Sequence, residues 1–225
     1  MKKSNILNII LGVAVLALAW RVAVKEDKNT AGEGAGFHAA STTAPAPTDT
    51  ASGSNPALQN IMTRHSVRQF TDKKLTDDQL TTLVKAGMAA PTAMDKRPWS
   101  FQTVTDPELL GMLSEAAPGT KPVAGAAAAI IVCGDSNDFI EGEGRDFWIQ
   151  DCSAASENIL LAAHAMGLGA VWCGIYPQQE RVSKVRGDFE LEENLIPLCV
   201  IAVGYPVQEG SPKDKWNPDK MRKLE

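Results

Sequence analysis

The chain has 225 residues, 44% hydrophobic and 22% charged, enough for one domain of ordinary size with a sizeable core plus appendages. A formal net charge of -5 and a pI near 5.3 exclude a general nucleic-acid binder, which needs clustered basic surface to hold phosphates. Cys133, Cys152, Cys173 and Cys199 sit in apolar runs without CxxC or Cys/His ligand spacing, so they predict buried free thiols rather than a disulfide framework or a zinc site.

Residues 1–24 open with Lys2 and Lys3 and continue as an apolar run, with Ala17-Leu18-Ala19 as a small-residue cleavage pattern. That composition predicts a secretory signal peptide. Val22 to Val24 prolong the apolar stretch past Arg21, so the alternative is an uncleaved membrane tether through residues 5–24. Basic residues flank the run on both sides and set no orientation. The expectation is a domain exported or anchored on the extracytoplasmic side of a bacterial inner membrane, with a cytoplasmic-facing domain as the alternative. Residues 25–54 turn to Gly, Ala, Ser, Thr and Pro, a low-complexity linker that cannot bury enough apolar surface to offset its ordering entropy.

The folded domain is expected over residues 55–225. Asn55-Pro56 is a capping residue followed by proline at the first helical position, and Leu58, Ile61 and Met62 give that helix an apolar side. Thr76-Asp77-Asp78-Gln79 reads as a capping box for a helix that Pro91 must end. Residues 100–105 predict a strand with one buried face carrying Phe101 and Val104. Residues 106–117 predict a helix, and residues 126–133 a buried strand. The long apolar pattern over 147–166 predicts a helix that is central or at a subunit interface, ended by Gly167. A short strand or extended loop at 170–174, a surface helix from Pro177 to about residue 186, a buried strand over 196–203 and a basic tail complete the chain.

Between the first two helices lies Arg64-His65-Ser66-Val67-Arg68. In extended backbone, alternate residues share a side, so two guanidinium forks and a hydroxyl face the same way, a set suited to a phosphate. The plain reading is basic residues offsetting a helix dipole. For Gly174 the plain reading is a turn glycine. For Cys173 it is a packing cysteine, and for Lys213 and Lys215 solvated members of a lysine-rich tail.

These residues, together with Ala90-Pro91-Thr92-Ala93, Arg97-Pro98-Trp99, the segment from Gly167 to Gly174, and Val203-Gly204-Tyr205-Pro206, resemble the nitroreductase family in order and spacing. The resemblance covers about residues 56 to 217. It implies an α+β core with a mostly antiparallel sheet wrapped by helices, and an obligate homodimer with an FMN cleft at its interface. Arg64, His65, Ser66 and Arg68 would hold the flavin phosphate, ribityl chain and pyrimidine edge, with Lys215, and Lys213 beside it, near the phosphate. The loop carrying Pro91, Thr92, Ala93, Asp95 and Arg97 would reach the flavin of the partner subunit. Trp172, Cys173 and Gly174 would lie beside the ring, the Gly174 N–H near the hydride-accepting nitrogen. Asp95 and Arg97 depart from the asparagine and glutamine common in the family, and could pair with each other or bias the cleft toward one substrate charge.

The resemblance further implies an FMN-dependent oxidoreductase that takes hydride from NAD(P)H and passes it to a small organic acceptor: a nitroaromatic, a quinone or an activated alkene. No catalytic side-chain acid and no metal are expected. The alternative, prompted by the amino terminus, is a membrane-tethered FMN-binding electron carrier or flavin reservoir.

Overall fold

Asn55 caps helix α1 (Pro56–Thr63) by accepting from the N–H groups of Ala57 and Leu58, at the start of a computed structural model that describes residues 55–208 and 210–224. The signal or anchor expected over 1–24 and the linker over 25–54 lie outside the described residues, among which no helix is long and apolar enough to cross a membrane. Helix α2 (Asp77–Met88) begins with the expected capping box: Thr76 accepts from the Gln79 N–H at 3.2 Å, and Gln79 accepts from the Thr76 N–H at 3.0 Å.

Four strands follow: β1 (Trp99–Val104), β2 (Ala128–Asp135), β3 (Gly169–Gly174) and β4 (Leu195–Gly204). They form one antiparallel sheet in the order β1-β2-β4-β3, with a register shift at Val132/Cys133 where β2 meets β4. Helices α3 (Pro107–Ser114), α4 (Phe147–Ala165) and α5 (Gln179–Asp188) complete the core. Along β2 the side chains alternate between two cores. Ile130 and Val132 join Leu83 of α2 and Ile159 of α4, whereas Ile131 and Cys133 join Leu113 of α3 and Val185 of α5. Both faces of the sheet are therefore covered, which is why β2 and β4 read as continuous apolar runs. Each fully buried Leu or Ile contributes about 1.5–3 kcal/mol relative to exposure.

The sequence expectations need three corrections. Phe101 and Val104 are three residues apart and so lie on opposite faces of β1, Phe101 against the α2/α4 core and Val104 in the α3/α5 core. Helix α3 stops at Ser114, and the chain continues as a 3-10 segment over Pro118–Gly125. Pro177 precedes α5 instead of starting it, its peptide bond to Tyr176 being cis. Helix α1 has the apolar side expected of it, but Leu58, Ile61 and Met62 are all exposed.

Helix α4 carries eight buried residues and spans the core as expected. Gly167 ends it at φ +71, a left-handed conformation that favours glycine. Gly169 then opens β3 where a Cβ would stand 2.6 Å from Val67, so glycine lets the 64–68 stretch lie directly on β3.

Candidate functional site

The carboxyl end of α1 is fastened to α4 by three contacts. Asn60 Nδ2 donates to the Leu161 carbonyl at 3.0 Å, and Arg64 Nε donates to Glu157 Oε1 at 3.1 Å. Thr63 Oγ1 donates its one proton to the Gln59 carbonyl at 2.7 Å, so in its 2.9 Å contact with His164 it must accept from Nε2–H. Burial, with the nearby His65 ring and the Arg64 charge, holds the His164 pKa below its usual value. The imidazole thus works as a neutral donor. His65 stands edge-on to His164, ring centroids 5.9 Å apart.

Beyond Arg64 the chain is extended. Ser66 bridges Ala170 in parallel fashion and the Val67 N–H donates to the Ala170 carbonyl at 3.0 Å. Arg64, Ser66 and Arg68 line one cavity of about 390 Å³, with His65, Gly210, Ser211, Lys213 and Lys215. At Gly210 a Cβ would collide with the His65 ring, so a side chain there needs that ring to move. The tail lysines read as solvated are exposed, yet they line the same cavity as the arginines.

The strand end at Gly204-Tyr205-Pro206 does not line this cavity. It fixes the chain leaving it: Phe70 bridges Pro206, the Thr71 N–H donates to the Tyr205 carbonyl at 2.8 Å, and Gln79 Nε2 donates to the Tyr205 hydroxyl at 3.0 Å.

Trp172, Cys173 and Gly174 lie further along β3, the strand against which the 64–68 stretch is laid. Burial pushes the Cys173 thiol up to about 11, and the positive charge of Arg68 opposes that rise. The Arg68 field therefore reaches this end of the strand. Cys173 as a whole residue is only 2% exposed, so its thiol is not offered to a cleft. Burial likewise pushes Cys133 and Cys199 up to about 12 and raises Cys152, and all four thiols are free and buried. At Gly174 a Cβ would meet nothing within 4 Å, which leaves open space beside its backbone.

The loop between α2 and β1 does not line the basic cavity within one protomer. Asp151, buried on α4, accepts from the Ala93 N–H at 2.9 Å, and Thr92 Oγ1 accepts from the Arg97 N–H at 3.1 Å. Between these ties Met94, Asp95 and Arg97 adopt φ of 53, 53 and 52, a left-handed region that side chains rarely occupy. Asp95 and Arg97 are paired: Nε donates to Oδ1 at 2.8 Å and Nη2 to Oδ2 at 2.6 Å. The hydrogen bonds from Arg97 hold the Asp95 carboxyl below its usual range, and Asp95 raises the Arg97 pKa in turn. Both side chains are exposed.

The structure thus brings Arg64, His65, Ser66, Arg68, Lys213 and Lys215 together, and sets Trp172, Cys173 and Gly174 on the adjoining strand. It keeps Pro91, Thr92, Ala93, Asp95 and Arg97 apart on their own loop. Sequence reasoning missed Glu157, Gly210 and Ser211. Glu157 precedes His164 by two helical turns, a spacing visible in the sequence, but nothing local pairs it with an arginine 93 residues away.

The Nitroreductase family model matches residues 61–129 and 112–205. Over 165 residues the chain is 43% identical to a provisionally named NADH dehydrogenase/NAD(P)H nitroreductase of Methanothermobacter thermautotrophicus, a match covering 73% of this chain and 84% of that protein. The solved structure of a like-named protein from Bacteroides thetaiotaomicron superposes with a TM-score of 0.70 at 44% identity, covering 75% of this chain and 97% of that one. A provisionally named nitroreductase of Desulfovibrio desulfuricans, solved in complex with FMN, gives a TM-score of 0.65 at 30% identity over 76% of this chain and 98% of that one.

Proposed function

The chain belongs to the nitroreductase family, and we propose that it binds FMN and passes hydride from NAD(P)H to a small organic acceptor such as a nitroaromatic, a quinone or an activated alkene. The basic cavity carries this reading. Arg64, Arg68, Lys213 and Lys215 offer four cations and Ser66 a hydroxyl around about 390 Å³, a donor set that fits a phosphate dianion. The open space at Gly174, on the strand beside that cavity, fits close approach of a flat ring to backbone.

Bound FMN supplies the redox chemistry by accepting hydride from a nicotinamide and releasing it to a second substrate. The chain supplies position and charge. Arg64, His65, Ser66, Arg68 and Lys215 hold the phosphate end, and the backbone of Trp172, Cys173 and Gly174 holds the ring, with the Gly174 N–H as a fixed donor. A donor of this kind needs no side-chain acid.

The active unit in this reading is a homodimer. Its support is the uncovered apolar side of α1, with Ile61 53% and Met62 75% exposed, and the loop of Pro91, Thr92, Ala93, Asp95 and Arg97, tied down by Asp151 but absent from the lining of its own protomer's cavity. The 55–225 domain in this reading is exported or tethered through the signal-like residues 1–24 and the linker 25–54. That location also favours a second reading, an FMN carrier without nucleotide turnover, because an exported domain meets little NAD(P)H.

Anaerobic stopped-flow mixing of the FMN-loaded protein with NADH and with NADPH decides between them. Bleaching of the flavin absorbance is the expected result. A yellow protein that neither nucleotide bleaches would establish the carrier instead. Cell fractionation with intact-mass measurement tests the location.

A further inference from the structure

Arg181, in the first turn of α5, is half-buried, and its Nη1 donates to the carbonyl of Gly174 at 3.3 Å. It forms no ion pair with an acidic side chain among the described residues. A partly buried guanidinium ordinarily lies against a carboxylate. One turn along the same helix Lys184 has such a partner, Asp188 at 2.8 Å. Arg181 instead brings an uncompensated positive charge to a backbone carbonyl at the end of β3. The chain turns there: the N–H groups of Ile175 and Tyr176 both donate to the Leu198 carbonyl, at 3.1 and 3.0 Å. The side-chain position of Gly174 faces open space.

We propose that Arg181 is a positioning residue that sets the redox balance of the bound cofactor, holding the Gly174 carbonyl and so the backbone at that end of β3. This rests on the reading of Gly174 as the backbone beside the flavin ring. Transfer of hydride from NAD(P)H adds two electrons and one proton to the cofactor and leaves NAD(P)+. The cofactor's ring thereby gains one negative charge unless a further proton follows. A fixed cation near that ring stabilises the charged, reduced form more than the neutral, oxidised one. Because the guanidinium is bound to a carbonyl and not to a carboxylate, its charge is not cancelled locally. Arg181 also holds the Gly174 end of β3 in place, and the geometry required of the backbone donor depends on that.

The test measures the midpoint potential of the FMN-loaded full chain by slow reduction with xanthine and xanthine oxidase against a reference dye. Wild type is compared with Arg181→Gln, Arg181→Met and Arg181→Lys. Loss of the charge in the Gln and Met variants is expected to weaken the preference for reduced over oxidised FMN about tenfold, read as a midpoint about 30 mV lower. The Lys variant, which keeps the charge, is expected to retain the wild-type midpoint. Thermal unfolding of the FMN-free proteins follows any purely structural effect, which would not separate Lys from Gln. Unchanged midpoints in the Gln and Met variants with flavin bound would overturn the proposal, as would an equal fall in the Lys variant. A wild-type protein that remains colourless with excess FMN would instead overturn the flavin reading itself.

Discussion

Arg64 presents its Nε–H to Glu157 at 3.1 Å while the same side chain lines the basic cavity, so the acid grips the guanidinium from the side and leaves its terminal NH2 groups for an anion. Glu157 is 47% exposed, which limits the pair to about 0–1 kcal/mol. Glu157→Gln keeps an acceptor for Nε but removes the negative charge paired with a cavity arginine. Tighter FMN binding by up to about fivefold, fading as salt rises, is expected from fluorescence-quenching titrations at two ionic strengths.

Arg68 is the cavity's exposed arginine and has no ion pair among the described residues. Hydrogen bonds to charged groups contribute about 1.5–3 kcal/mol. Arg68→Ala is therefore expected to weaken FMN about 10- to 100-fold, while the melting temperature of the FMN-free protein stays at the wild-type value. Unchanged affinity would return the 64–68 stretch to a helix-end charge with no ligand.

Asp151 is the tie between α4 and the Pro91 loop. Asp151→Ala leaves the Ala93 N–H without its partner and is expected to destabilise the fold by about 1–3 kcal/mol in urea unfolding. Asp151→Asn retains Oδ1 as acceptor and should lose less. Equal losses in the two variants would show that the hydrogen bond is not what holds the loop.

Both side chains of the Asp95–Arg97 pair are exposed, so its removal should leave the melting temperature unchanged. Asp95→Asn with Arg97→Gln exchanges a carboxylate and a guanidinium for neutral amides. FMN should stay bound while the ratio of kcat/KM for anionic against neutral acceptors shifts. An acceptor panel giving the same ratio for both proteins would remove these residues from substrate selection.

His164 gives a pH dependence of defined sign. Its folded pKa lies below the usual 6.5, so the unfolded chain binds a proton that the folded one resists. Its contribution is complete above about 6.5 and is lost as pH falls from there through the lowered folded value. His164→Gln should flatten the urea-midpoint profile over that window and leave the alkaline side unaltered.

The sequence carried the fold because its signals were local: the capping box at Thr76, the proline stops, the glycine after α4 and the two apolar strands each depend on neighbours a few residues away. The grouping of Arg64, Ser66 and Arg68 at one cavity was legible for the same reason, since spacing within 64–68 is a property of five consecutive residues. The sequence misjudged the two faces of β1 because a single strand does not reveal that helices cover both sides of its sheet. Glu157 and Arg181 were invisible as site residues, because their meaning comes from Arg64 and from the Gly174 carbonyl, partners that only the folded chain brings near. The apolar side of α1 was read correctly as a pattern, but a pattern does not say whether it is buried, and Leu58, Ile61 and Met62 are exposed.

The four buried thiols give the molecule an internal clock. With Cys133 and Cys199 pushed up to about 12, almost no thiolate exists at neutral pH, and burial denies a reagent access in any case. Alkylation must then wait for the chain to open, and each opening exposes unfolded thiols of ordinary reactivity. The labelling rate of the native protein, followed by mass, counts those openings directly. Flavin that binds only the closed form should slow that rate in proportion to its occupancy.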